Sequence, residues 1–357
     1  MTELKLPVFF AGVMSADGYC SRLDGIYDPD DGWRAYLIKG GAGMGKSTLM
    51  KALASDLTSR GARAELIACP SDPNSLDAVI FPDLKVAVMD ATAPHIVNPK
   101  YPEVCEVIVN LADCCDHEKM RALSGEALPV YKRLSALYAR ASRYVAAIGA
   151  LSADTFRIAY DCLDVRKAAQ FGAHLAEKNI PLSVGRGREQ VRFLSSATPL
   201  GLMHLSDTVG MMCDRVIAVE DECGAASRVI LSAVRMTALE RGADIITCMC
   251  PFAPDDKVEH IIIPELRLAF VTQNSSLKTP TGERIIHARR FTDAAQLHQK
   301  RQRLKFNRRA VSELIRGTVQ TLAQAKATHD ELEKLYVANM DFAAVTDRLL
   351  EIEASIA

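Results

Sequence analysis

The sequence carries no dominant charge and few aromatic residues. Its 43 Lys and Arg residues nearly cancel its 44 Asp and Glu residues, which leaves a formal net charge of −1. Aromatic residues make up 6% of the chain, with a single Trp. Proteins that hold nucleic acid or a membrane surface through their overall charge carry a strong basic excess, so the composition favours neither partner. No apolar run approaches the roughly 18 residues that a membrane span needs.

The chain also lacks a disulfide framework and a recognisable leader. Its ten cysteines follow no regular spacing, and a chain of 357 residues is large enough to fold without disulfide staples. The N-terminal stretch "LPVFFAGVM" is short and is interpreted as a strand instead of a signal peptide. A cytoplasmic protein in a reducing environment is therefore expected.

One segment is locally basic, the stretch "HARRFTDAAQLHQKRQRLKFNRR" at 287–309. Such a run is able to bind nucleic acid, but it is more often the solvated face of a helix. Because the chain is neutral overall and aromatics are few, nucleic acid is the less favoured partner.

The chain contains one unit written twice. "FFAGVMSADG" from Phe9 matches "RFLSSATPLG" from Arg192, and "SRGARAELIACPSDP" matches "ERGADIITCMCPFAP" with Cys69 opposite Cys250. Further along, "RYVAAIGALSADTFRIAY" matches "VQTLAQAKATHDELEKLY". Such a repeat predicts two copies of one supersecondary unit, which together form an internal pseudo-dimer.

The seam between the copies lies in "KNIPLSVGRGREQ", where Pro and Gly interrupt the pattern. This places the units at 1–183 and 184–357. Each unit begins with an α/β half, and each ends in a segment without strand signals, which predicts helical appendages at about 103–180 and 291–357.

The strands of a unit are read from continuous apolar runs. "RAYLIK", "AELIAC" and "KVAVMD" predict buried strands of a parallel sheet covered on both faces. Between the first two lies an amphipathic helix, "KSTLMKALASDLTSRG", which Gly61 ends. Alternation of strands and helices predicts an α/β fold with tandem doubly wound sheets of the P-loop NTPase type, the second copy degenerate.

The segment from Gly40 to Ser47 reads "GGAGMGKS" and fits the phosphate-binding motif G-x-x-x-x-G-K-[ST] between a strand and a helix. Glycines allow backbone N–H groups to approach phosphates, and the N-terminus of the following helix favours an anion. A Gly-rich turn that matches by chance is the alternative. The predicted nucleotide-binding residues are Gly40, Gly41, Ala42, Gly43, Met44, Gly45, Lys46, Ser47 and Thr48.

Three side chains carry the predicted catalytic chemistry of this loop. Lys46 is expected to reach the β- and γ-phosphates, while Ser47 and Asp90, at the end of "KVAVMD", are expected to hold Mg²⁺. Ala91 follows Asp90 where AAA+ and ABC hydrolases place a glutamate, so the chain resembles neither class. The motif N-K-x-D that reads guanine does not occur, and this absence favours ATP over GTP.

Two loops supply further candidates. In "CPSDPNSLD", Asp72 or Asp77 is a candidate proton acceptor, since the loop follows a strand and belongs at the carboxyl edge of the sheet. An Asx turn explains the same residues equally well. In "DATAPHIVNPKYP", His95 is a candidate for facing the γ-phosphate, although a structural role is the commoner one for a lone loop histidine.

The second copy has lost the motif. In the aligned positions, Gly40 is replaced by Asp221, Lys46 by Ser227 and Asp90 by Thr272. Gly45 and Ser47 are replaced by Ala226 and Arg228. The sequence "EDE" at 220–222 puts negative charge where phosphates would lie. The second unit is therefore predicted not to bind Mg·ATP and to act as a structural partner.

Such a partner is able to complete the first site. An arginine supplied in trans is one route, with surface positions as the plain alternative; the candidates are Arg186, Arg188, Arg192 and Arg228. His329 and Glu333, four residues apart on one predicted helix beside Asp330, are candidates for a metal or catalytic role or for a solvated helix face.

Over nearly its whole length the chain resembles a bacterial family of tandem P-loop proteins that are described as ATPases or nucleotide-binding proteins. The resemblance rests on "FFAG", "IKGGAGMGKSTLMK", "CPSDPNSLD", "DATAPHIVNPKYP", "IIIPEL" and "AKATHDELEKLYVANMDF". It implies an ATP- and Mg²⁺-dependent hydrolase. A kinase with Asp72 as base and the helical appendage as a lid over the acceptor, and a nucleotide-gated scaffold, are the alternatives.

Overall fold

The computed structural model describes residues 6–278 and 284–356, which form two six-stranded sheets and long helices. The strands of the first unit are β1 (Val8–Phe9), β2 (Gly12–Ser15), β3 (Gly18–Ser21), β4 (Arg34–Lys39), β5 (Glu65–Ala68), β6 (Leu76–Phe81), β7 (Val86–Asp90) and β8 (Glu106–Asn110). Those of the second unit are β9 (Glu189–Arg192), β10 (Ser195–Thr198), β11 (Gly201–His204), β12 (Arg215–Glu220), β13 (Ile245–Cys250), β14 (Ala253–Ile263), β15 (Leu268–Gln273) and β16 (Arg284–His287).

The helices connect and cover these sheets. They are α1 (Lys46–Ser59), α2 (His117–Ala122), α3 (Ser124–Tyr160), α4 (Val165–Asn179), α5 (Asp207–Met212), α6 (Ala225–Glu240), α7 (Ala294–Gln299), α8 (Arg301–Val337) and α9 (Phe342–Ile356). Helices α3 and α8 are both 37 residues long, as the repeat requires. Within the described ranges, no helix is long and apolar enough to cross a membrane.

The two sheets have the same topology, which agrees with the internal repeat. The first runs β1-β5-β6-β7-β4-β8 and the second β9-β13-β14-β15-β12-β16. In each, one strand (β6 or β14) is antiparallel to its neighbours and the other five are parallel. Phe10 and Phe193, which the repeat aligns, exchange backbone hydrogen bonds of 2.9 and 2.8 Å between the units.

The sheets pack face to face. Residues alternate along each strand, so that one set faces the other sheet and the next set faces helices. The set between the sheets is rich in small side chains and is fully or almost fully buried: Ala35, Leu37, Ala78, Ile80, Ala87 and Met89 from the first sheet, and Val216, Ala218, Ile262, Ala269 and Val271 from the second. The α/β class is thus confirmed, but the long helices that cover the sheets lie on their outer faces, and the short α5 adds Val209 to the core between the sheets. The prediction of doubly wound sheets is wrong in this respect.

The outer faces are covered by helices from both units. In the first unit, Tyr36 and Val88 face a core that contains Leu53 of α1 and also Val345 and Ile352 of α9. In the second unit, Ile217 faces a core that contains residues of α6 together with Ala168 and Leu175 of α4. Each helical appendage is called an arm below: α2–α4 follow the first sheet in sequence, and α7–α9 follow the second. The last helix of each arm packs on the sheet of the other unit.

The arms cross at two equivalent points. Asp116 donates a backbone hydrogen bond to Asn339 and Asp341 donates one to Cys114; Asp164 and Phe291, and Asp293 and Cys162, form the matching pair. Helices α3 and α8 pack along each other between these points. The predicted seam at 183/184 lies between α4 and β9. The prediction that 103–180 lacks strands is wrong, because β8 pairs with β4 in parallel.

Candidate functional site

The predicted phosphate-binding loop joins the end of β4 to α1. Gly43 and Gly45 have φ angles of +67° and +88°, which side chains with a Cβ rarely adopt. Helix α1 begins at Lys46, so the amides of its first turn face the loop. This local geometry, a left-handed loop against a helix N-terminus, is the kind that binds anions.

Lys46 lies inside the curve of the loop. Its Nζ donates hydrogen bonds of 2.7 Å to the carbonyls of Gly40 and Gly41, and it lies 3.5 Å from Oδ2 of Asp90. Asp90 is the last residue of β7, which pairs with β4. Its Oδ1 accepts a hydrogen bond of 2.8 Å from the amide of Thr92. The predicted cation and the predicted metal-binding carboxylate are therefore side by side.

All the predicted site residues of the first unit meet at one cavity of about 1100 Å³. Ser47 lies at the start of α1, and its hydroxyl accepts a hydrogen bond of 2.9 Å from the amide of Leu76. The cavity is lined by Gly40, Gly41, Ala42, Gly43, Met44, Gly45, Lys46, Ser47, Thr48, Asp72, Asp90 and His95.

Asp72 satisfies both interpretations of its loop. It makes the Asx turn: its Oδ1 accepts a hydrogen bond of 3.3 Å from the amide of Asn74, and its backbone carbonyl accepts one of 2.7 Å from the amide of Ser75. It also faces the cavity, where Oδ2 lies 3.5 Å from Nζ of Lys326 on α8. The carboxylate is therefore held in place beside a cation of the second unit.

His95 belongs to a buried polar cluster at the same edge of the sheet. Its Nε2 lies 3.3 Å from Oδ1 of Asp77. Its ring packs edge to face with that of Tyr19, with 4.8 Å between the ring centroids. Burial raises the pKa of Asp77 to about 6, an effect that the facing His95 partly offsets. Burial also raises the pKa of Tyr19 and that of the adjacent Cys69 well above their ordinary values.

The end of α8, from the second unit, contacts the loop directly. A Cβ on Gly41 would lie 2.9 Å from the ring of Tyr336, and one on Gly43 would lie 2.9 Å from Val337, so glycines are needed for this approach. Tyr336 also shares a hydrogen bond of 2.8 Å with Tyr131 of α3. The exchanged arm therefore forms one wall of the first unit's cavity.

The polar residues predicted on α8 lie in this wall. His329, Asp330 and Glu333 line the cavity, and burial lowers the pKa of His329. Their ligand atoms lie within 4.8 Å of one another, close enough for a shared cation.

The arginines proposed to act in trans lie elsewhere. Arg186 is exposed, Arg188 binds Asp31 and Asp244 at the surface, and Arg192 is fully buried. Arg228 of the second unit stacks on the ring of Phe156 from α3 of the first unit, 4.5 Å from its centroid. None of the four lines the loop cavity; the second unit's cations there are Lys326 and Lys334.

The degenerate loop contains a carboxylate of its own. Asp221, at the position of Gly40, accepts hydrogen bonds from the amide of Cys223 at 3.0 Å and from that of Ser227 at 2.9 Å. It is 5% exposed. Gly224 keeps the left-handed conformation of Gly43, with φ at +73°. The second loop therefore folds around its own side-chain anion.

A second cavity of about 470 Å³ lies beside the degenerate loop. Lys257 lies there, with Nζ 3.6 Å from Glu259 and 3.8 Å from the sulfur of Cys250. Burial alone would lower the pKa of Lys257, but Cys250 and Glu259 raise it above its ordinary value. Lys257 is thus held as a cation beside the carboxylate of Glu259 and the sulfur of Cys250.

The sequence motifs did not single out every residue of these sites. Cys69, Lys326 and Tyr336 lie within quoted motifs, but no site role was predicted for them or for Tyr19, and Asp77 was one of two candidates in its segment. The alignment of Cys69 with Cys250 was the available signal for the cluster at His95.

Comparison of the chain with family profiles, with curated proteins and with solved structures gave no match in any of the three. The resemblance to tandem P-loop proteins therefore remains a prediction.

Proposed function

We propose that this protein is a Mg²⁺-dependent NTPase of the P-loop type that hydrolyses ATP at a single site, the loop of residues 40–48. The second unit has the same topology, and we propose that it binds no nucleotide. Its roles are to cover the first sheet and to supply the α8 wall of the cavity.

One observation carries this proposal: the difference between Gly40 and Asp221. In the second unit, loop amides are bonded to the Asp221 carboxylate, an anion built into the chain. In the first unit the same position is a glycine, which has no side chain to offer. A loop of this shape with Lys46 in its curve is suited to an anion from outside, and a triphosphate matches both its amides and its cation.

The metal-binding residues suit the proposed ion. Mg²⁺ prefers hydroxyl and carboxylate oxygens and keeps several waters, and Ser47 and Asp90 offer one oxygen ligand each on the same cavity. Bound there, Mg²⁺ would neutralise charge on the phosphate oxygens. Lys46 would leave the carbonyls of Gly40 and Gly41 for the phosphates, and Asp72 beside Lys326 would orient the attacking water.

A second candidate, transfer of phosphate to a small acceptor, is favoured by the size of the cavity. The α8 wall adds His329, Asp330 and Glu333 to a space that extends beyond the loop. In that case Asp72 would accept a proton from the acceptor hydroxyl instead of from water.

The test is binding and turnover of Mg·ATP by the full chain and by Lys46→Ala. Wild type is expected to bind ATP and release phosphate, and the variant to lose roughly 10- to 100-fold in affinity, as expected for hydrogen bonds to a charged group. ADP formation that requires an added metabolite pool would indicate the kinase, and tight binding without turnover a scaffold. Equal affinity of wild type and variant would refute the site.

A further inference from the structure

Three side chains with metal-ligating atoms converge beneath the loop cavity. Cys69 follows β5, Asp77 is in β6, and His95 lies in the loop after β7. One ligand atom from each lies within 4.8 Å of the other two, and Nε2 of His95 is 3.3 Å from Oδ1 of Asp77. In a tetrahedral zinc site the ligand atoms are roughly 3.5 Å apart, because the bonds are about 2.0–2.3 Å long. Small side-chain shifts therefore suffice to bind one ion.

The cluster is buried and its hydrogen bonding is incomplete. Cys69, Asp77 and His95 are 8%, 3% and 5% exposed. In the described part of the chain, ten buried side-chain atoms have no hydrogen-bond partner, and three of them are here: Oη of Tyr19, Oδ2 of Asp77 and Nδ1 of His95. Because such atoms cost free energy when they are buried, their concentration at one point indicates a missing partner.

The second unit provides an internal comparison. Strand register places Cys250 opposite Cys69 and Glu259 opposite Asp77 in the repeat. There the ammonium of Lys257 lies 3.6 Å from Glu259 and 3.8 Å from the sulfur of Cys250. The position of Lys257 corresponds to Ser75 in the first unit, so the first unit has the cysteine and the carboxylate without the lysine.

We propose that Cys69, Asp77 and His95 bind a thiophilic divalent cation of the zinc class, at the place where Lys257 serves the second unit. A thiolate, an imidazole and a carboxylate select such a metal over Mg²⁺, which prefers oxygen ligands. Binding releases the thiol proton of Cys69 to solvent. All three residues line the loop cavity, so the fourth coordination position faces it. This site is separate from the proposed Mg²⁺ site at Ser47 and Asp90 and does not depend on nucleotide binding.

The test is titration of the metal-free full-length protein with Co²⁺, a coloured substitute for Zn²⁺. A thiolate ligand gives a charge-transfer band in the near ultraviolet that carboxylates and imidazoles do not give. We expect one Co²⁺ per chain with this band, displaced by Zn²⁺ and not by excess Mg²⁺. Cys69→Ser is expected to abolish the band and to weaken Zn²⁺ binding by more than the roughly 10–100-fold that residues outside the coordination shell contribute.

Cys250→Ser is the matched control, because it alters the equivalent cysteine of the other unit, and it should keep the band. Lys46→Ala should also keep it, which separates this site from the nucleotide site. Absence of the band from wild type, or an equal band in Cys69→Ser, would refute the proposal and leave a structural cluster. Zn²⁺ should also raise the Tm of wild type and not that of Cys69→Ser, a measurement that requires only folded protein.

Discussion

The carboxylate of Asp221 accepts a hydrogen bond of 2.9 Å from the amide of Ser227, in a loop whose twin has Gly40 and Lys46 at these positions. In one copy a side-chain carboxylate thus bonds the loop amides, whereas the other copy has a glycine without a side chain at that position. The loop amides of the second unit therefore have a hydrogen-bond partner within the chain.

A carboxylate at the equivalent position of the first loop should block nucleotide binding there. Gly40→Asp is expected to lower ATP affinity by roughly 100-fold or more, because the carboxylate would bond the loop amides and repel the phosphates. Gly40→Ala is the control, since a Cβ there would already lie 3.1 Å from the sulfur of Met44 and both variants share that contact. Isothermal titration compares them; equal affinities would contradict the role given to Asp221.

Removing Lys326, one of the two cations that α8 supplies, should slow turnover more than it weakens binding. Lys326 lies 3.5 Å from Asp72 at the cavity, so Lys326→Met is expected to lower kcat by roughly 100-fold, as is typical for loss of one preorganised donor. Lys305→Met changes an exposed lysine on the same helix and should have no effect. Phosphate release under saturating ATP is the measurement, and a purely raised KM would show that Lys326 serves only in binding.

Acid should destabilise the fold through His260, which lies between the sheets and is 1% exposed. Burial lowers its pKa to about 4. In the unfolded chain this histidine binds a proton below about pH 6.5, whereas in the native state it binds one only below about pH 4. The free energy of unfolding therefore falls as the pH drops from about 6.5 to about 4, by up to about 3 kcal/mol. His260→Ala introduces the residue found at the equivalent position of the first unit, Ala78. The stability of this variant should depend less on pH.

Urea unfolding at several pH values measures this slope. His174→Ala, at an exposed histidine of α4, should leave the slope as in wild type. An unchanged slope in His260→Ala would assign the acid sensitivity to other groups. Since the cavity left by the alanine costs the same at each pH, it shifts the curve without altering its shape.

The exchanged arm should stabilise the unit on which it packs. Ile352 of α9 is 3% exposed in the core of the first unit, so Ile352→Ala is expected to cost about 2–5 kcal/mol. Leu350 on the same helix is 55% exposed, and Leu350→Ala should cost little. Chemical denaturation gives both values. Similar small losses would mean that α9 does not contribute to this core.

The sequence predicted the local features well because each had a local cause. The loop at Gly40 to Ser47 and the carboxylate of Asp90 follow from a motif that needs particular residue types between a strand and a helix, and the structure brings both to one cavity. Their nucleotide-binding role remains a prediction. The repeat likewise predicted two similar sheets.

The arrangement of the layers was not predictable in the same way. An apolar run such as "AYLI" reads alike whether its second face meets a helix or another sheet. The alanines at Ala35, Ala87 and Ala218 were the available signal, since small side chains suit closely packed sheets. Strand β8 was not predicted, and it lacks the continuous burial of the predicted strands, since Ile108 within it is 44% exposed. Which unit an arm covers is a long-range choice that no local pattern encodes.

The crossing of the arms has a consequence for how the gene can change. A protein whose two halves touched only at a flat interface could lose a half that no longer bound anything. Here, deletion of the second unit would strip α9 from the first unit and remove the α8 wall from its cavity. Under the function proposed above, selection for the first unit is thereby selection for both, which is sufficient reason for the second copy to persist in the chain.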